Sequence, residues 1–77
     1  MFRLYKAERE IMARPITEED LRNVTRCGDI KIGNVLAGVP WHNRKPQLGD
    51  MVVHHPYNDK LMWIISARDF AKYSLVQ

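Results

Sequence analysis

Cysteine is almost absent. Cys27 is the only one in 77 residues, so the chain can form no internal disulfide and suits a reducing compartment. Long apolar runs are missing too: the longest, Leu61 to Ile65, is far short of the roughly 20 residues that span a bilayer, which excludes a transmembrane helix. An apolar leader is lacking at the start, where Arg3, Lys6, Glu8, Arg9 and Glu10 interrupt the stretch a signal peptide keeps apolar, and a cytoplasmic location is the expectation. There are no low-complexity tracts, repeats or linkers. A hydrophobic content of 45% beside a charged content of 27% excludes a disordered or collagen-like chain. What remains is one small domain. At this length folding buries about 60% of the surface that the unfolded chain exposes, so a single small core has to hold the fold.

No large excess of one charge is present. Twelve Lys and Arg against nine Asp and Glu leave +3, and a pI near 9.3 invites a nucleic-acid reading. The cations are scattered, however: acids interleave with bases from Lys6 to Glu10, Glu18 to Asp20 form an acidic run, and the densest basic spot is Arg44-Lys45. Dedicated binders align several cations to follow phosphates, whereas an interleaved pattern describes a mixed solvated surface.

Ligand sets for chemistry are equally sparse. A metal would have to draw on Cys27, Asp50, His42, His54 and His55, but His54 and His55 are adjacent in a strand-like run and point to opposite faces. No metal and no cofactor is expected. A hydrolytic set of Ser66, a histidine and Asp50 or Asp59 can be assembled only by ignoring context, because Ser66 has the position of a helix cap. Gly33 and Gly38 have the glycine spacing of a phosphate loop, yet Val39 and Pro40 stand where Lys and Ser or Thr are required. No catalytic residue is identified, and an enzyme is not expected.

The elements are more legible. Residues 3 to 16 suit a helical stripe nearly as well as an alternating strand, and Pro15 makes Arg14 extended. Thr17 followed by Glu18, Glu19 and Asp20 predicts a capped helix of about two turns, with Leu21 and Val24 inward and Gly28 as its left-handed cap. Ile30 to Ile32 read as a short strand interrupted at Gly33 and continuing after a bulge. Residues 40 to 49, with two prolines and a glycine, form the longest loop. Met51 to His55 and Leu61 to Ile65 flank the turn-forming Pro56 to Lys60 and predict a β-hairpin, whose second strand is apolar on both faces and therefore central. Ser66 and Asp69 then cap a closing helix that carries Phe70 and Tyr73.

The aromatic and basic stretch Trp41, His42, Asn43, Arg44 and Lys45, with His54, His55 and Tyr57 across the hairpin, is the candidate partner-binding site. Trp and Arg anchor many protein interfaces and also stack on bases. The plainer alternative is that Trp41 plugs the core while Arg44 and Lys45 keep the loop soluble.

Several short motifs carry a resemblance. Tyr5-Lys6-Ala7 running through Ala13-Arg14-Pro15-Ile16-Thr17, then Leu48-Gly49-Asp50-Met51-Val52-Val53, Trp63-Ile64-Ile65-Ser66 and Asp69-Phe70-Ala71-Lys72-Tyr73 resemble segments of small uncharacterised phage and prophage accessory proteins. The resemblance covers residues 3 to 17 and 48 to 73; Met51 departs from the aromatic common there, and residues 22 to 46 have no counterpart. It implies a phage origin, a strand for residues 3 to 14, a turn at Gly49-Asp50, and Phe70 and Tyr73 packed on the sheet. It transfers no activity.

Together these readings predict an α+β domain: a small antiparallel sheet from the N-terminal segment, Ile30 to Ile32 and the 51 to 65 hairpin, with two short helices on it. The predicted core is Leu4, Ile11, Ile16, Leu21, Val24, Ile30, Ile32, Met51, Val53, Leu61, Trp63, Ile65, Phe70 and Tyr73. The expected function is non-enzymatic binding that sterically inhibits or redirects a host protein, such as a defence complex or the transcription machinery, in the host cytoplasm. The second reading is a nucleic-acid-binding regulator using Arg44, Lys45 and Lys60 with stacking by Trp41 or Tyr57.

Overall fold

In the computed structural model, which describes residues 1–77, the chain runs β1 (Arg3–Lys6), β2 (Glu10–Pro15), α1 (Glu18–Arg22), β3 (Ile30–Ile32), β4 (Val35–Ala37), β5 (Met51–His55), β6 (Asn58–Ile65), α2 (Ala67–Phe70) and β7 (Ser74–Leu75). The class is α+β, as the sequence predicts. No helix is long and apolar enough to cross a membrane.

Five strands form one antiparallel sheet in the order β6-β5-β2-β1-β7, and β3 and β4 form a separate hairpin. The register pairs Ala13 with Val53 and Val53 with Trp63, so Ile11, Ala13, Met51, Val53, Trp63 and Ile65 share one face. Against it pack Tyr5, Phe70 and Tyr73, with Tyr5 edge-on to Phe70 at 4.8 Å. The other face presents Val52, Met62 and Ile64, covered by Ile16, Ile30 and Ala37 and flanked by Leu21, Ile32 and Val39. Val52 and Val53 are both fully buried on opposite faces. β5 is therefore the centre of the molecule, with a core on each side.

Two caps predicted from sequence are in place. The Thr17 hydroxyl accepts from the Asp20 N–H while the Asp20 carboxylate accepts from the Thr17 N–H, a complete capping box. Ser66 Oγ accepts from the Asp69 N–H at 3.1 Å.

Other expectations are corrected. Residues 3 to 14 are extended but form two paired strands, β1 and β2, rather than one. α1 ends at Arg22, because Val24 leaves to bridge Ile30 and Gly28, at φ 93°, belongs to a following turn rather than to the helix end. Gly33, at φ 59°, is no bulge: it takes the first central position of a two-residue turn that folds β4 back on β3, so Ile30 to Ile32 lie outside the main sheet. β6 is an edge strand of the five, and its apolar faces are covered by layers above and below. Val24 and Leu61 are exposed, while Val52, Met62 and Ile64 supply the core positions they were expected to fill.

The hairpin layer is stitched to the sheet at one residue. Gly38 donates to the Met62 carbonyl at 3.1 Å and accepts from the Ile64 N–H at 2.8 Å. This parallel bridge covers part of the outer edge of β6.

Candidate functional site

Two buried carboxylates organise one end of the sheet, where β2 leaves and β5 begins. Asp50 is 1% exposed. Its Oδ1 and Oδ2 accept from the two terminal nitrogens of Arg44 at 2.8 and 2.9 Å, and Oδ2 also accepts from the Gln47 N–H at 2.9 Å. Asp20 repeats the arrangement: Arg14 donates at 2.6 and 3.0 Å and the Thr17 N–H at 2.9 Å. In each case the arginine lies six residues before the aspartate, the amide donor lies three before it, and the arginine also donates to the carbonyl of its own successor. Each guanidinium lies against an aromatic ring, Arg14 at 5.2 Å from Phe2 and Arg44 at 4.2 Å from Trp41. The Ile16 N–H donates to the Asp50 carbonyl at 3.0 Å and ties the two loops together.

These bonds set the electrostatics. Burial by itself raises the Asp20 pKa, but the hydrogen bond from Arg14, those from Thr17 and the Arg14 charge outweigh it and hold the carboxyl below the ordinary 3.8. The hydrogen bond to Asp50 raises the already high pKa of Arg44, against a smaller desolvation effect. Arg44 is thus a permanent cation committed to an internal strut.

Beside this strut lies a cleft of about 650 Å³. One wall comes from Leu21 and the turn that follows α1; the other comes from Val39, Trp41 and the loop to Pro46. Trp41 is half-buried and packs on the core through part of its ring, so the core-plug alternative describes one side of this residue. Its other side belongs to the cleft. Its Nε1–H is buried without any acceptor.

Of the predicted binding residues, Trp41, His42, Arg44 and Lys45 all line this cleft, and His54, His55 and Tyr57 do not. His54 is buried on the opposite side of β5 from His55, its ring edge-on to Phe2 at 4.6 Å and its Nδ1 2.7 Å from the His55 carbonyl. His55 is exposed and leans on Trp63 at 5.1 Å. Five residues of extended strand separate His55 from Asp50, about 17 Å along β5. Tyr57 sits in the turn beyond, almost wholly exposed. Neither Tyr57 nor Lys60 lines the cleft.

Sequence reasoning missed the turn that supplies Arg26 and Asp29 to the cleft, and it missed Asp50 as the anchor of Arg44. The doubled spacing Arg-x5-Asp, at 14 to 20 and 44 to 50, each with an internal proline, was the available signal. No group of three or more His, Cys, Asp or Glu is placed to hold a metal ion. Cys27 is exposed, in the turn after α1 rather than at its end. Ser66 is occupied in its cap.

No protein-family model matches this sequence, and comparison with curated proteins and with solved structures finds no match.

Proposed function

We propose that this chain is a non-enzymatic accessory protein of phage type, acting in the host cytoplasm, that docks on a host protein through the cleft beside Trp41 and blocks it sterically. The phage assignment rests on the sequence resemblance. The observation that carries the binding reading is the braced cleft itself: an aromatic wall whose loop is held by a part-buried, bidentate ion pair, so that its shape is set before any partner arrives. Preorganised walls lower the ordering cost of association. A standard interface needs about 800 Å² per partner, which a domain of this size can present.

The nucleic-acid reading is the weaker one. Arg44 is consumed by Asp50, while Lys60 and Tyr57 lie on the β5–β6 hairpin away from the cleft, which leaves no aligned row of cations.

The test is affinity capture of the tagged protein from host lysate with and without nuclease, alongside the double variant Trp41→Ala with Lys45→Glu. A stoichiometric protein that survives nuclease and is lost with the double variant, whose circular dichroism stays native, is the expected result. Material released by nuclease, or a partner retained by the variant, overturns the reading.

A further inference from the structure

The chain has two ion pairs, Arg14–Asp20 and Arg44–Asp50. Arg26 and Lys45, both exposed on the rim of the cleft, are therefore unpaired cations, and Asp29 is the single acid among its lining residues. Behind this rim Leu21, Val39 and Trp41 supply apolar wall beside the Arg44 guanidinium, which lies 4.2 Å from the Trp41 ring.

Resting on the proposed protein-binding role, we infer that the cleft recognises an acidic peptide segment: one apolar side chain seated between Leu21 and Trp41, with flanking carboxylates on Arg26 and Lys45. Charge complementarity selects an acidic over a basic partner, and the depth of apolar wall selects a peptide over a free anion.

The probes are two libraries of heptapeptides with Leu, Phe or Met at the centre, flanked by Asp and Glu in one and by Asn and Gln in the other. The readout is the Trp41 indole N–H resonance, distinguished from that of Trp63 by the Trp63→Phe variant. The acidic library is expected to shift this resonance saturably and the neutral one to leave it in place. Replacing both Arg26 and Lys45 by Gln should weaken the response by about tenfold, the modest loss expected for two solvent-exposed ion pairs. An equal response to the neutral library overturns the inference, as does silence towards both. A stronger response to a single-stranded oligothymidine overturns it in favour of nucleic acid. If captured host protein still depends on Trp41 while both libraries are silent, the docking role stands and the acidic-segment assignment alone falls.

Discussion

Asp20 and Asp50 are charged groups in places where charge is expensive, and each is made tolerable by three N–H donors rather than by water. For Asp20 the consequence can be read against pH. Its folded pKa lies below the ordinary 3.8, so the stability it contributes is complete above about pH 4 and is lost as pH falls through the folded value. Asp20→Asn is expected to cost about 1–3 kcal/mol at pH 7, through a weakened pairing with Arg14 and a poorer cap. It should also flatten the acid limb of stability, and urea unfolding at pH 7, 5 and 3 checks both: a variant as acid-sensitive as the parent contradicts the assignment. The two braces escaped sequence reading because a contact over six residues, from a strand end across a turn, follows neither the strand nor the helix period. Trp41 and Arg44 were legible as a pair, but the direction of Arg44, inward to Asp50, was not.

Short elements were read well where a single residue dictates the local geometry. Thr17 and Ser66 cap their helices because each hydroxyl finds the amide three residues on, a relation visible in the sequence. Glycine was harder, because the residue permits a turn, a bulge or a helix end without saying which. Gly33 makes a hairpin turn, Gly28 a turn after α1, and Gly49 the corner before β5. At Gly49 the Asp50 N–H donates to the Gln47 carbonyl and φ is 102°, the pattern of a type II turn whose third position favours glycine. Space is open around this Cα, so the cost of a side chain is conformational rather than steric. Gly49→Ala is expected to destabilise by about 1 kcal/mol or more and Gly49→Asn by less. Thermal unfolding of the two variants tests the order; equal melting temperatures contradict it.

Across the whole molecule the lesson concerns faces. β6 is apolar on both sides, so alternation alone could not choose between Leu61, Trp63, Ile65 and the pair Met62, Ile64. What chooses is the layer above: the β3–β4 hairpin covers Met62 and Ile64, and Leu61 is left 57% exposed. That layer was invisible while Ile30 to Ile32 were assigned to the main sheet. Ile64→Ala is therefore expected to cost about 2–5 kcal/mol by emptying a fully buried site, whereas Leu61→Ala should stay within about 0.5 kcal/mol. Chemical denaturation of both separates the two faces. The Gly38 bridge carries a further consequence for dynamics. It provides the backbone hydrogen bonds that join the hairpin layer to the sheet, while the remaining contact between them is side-chain packing. The molecule thus has a natural fault line: in hydrogen exchange the Gly38 and Ile64 amides are expected to open together, and before Val52 and Val53, which pair with β2 and β6; protection of Gly38 and Ile64 equal to that of Val52 and Val53 contradicts this.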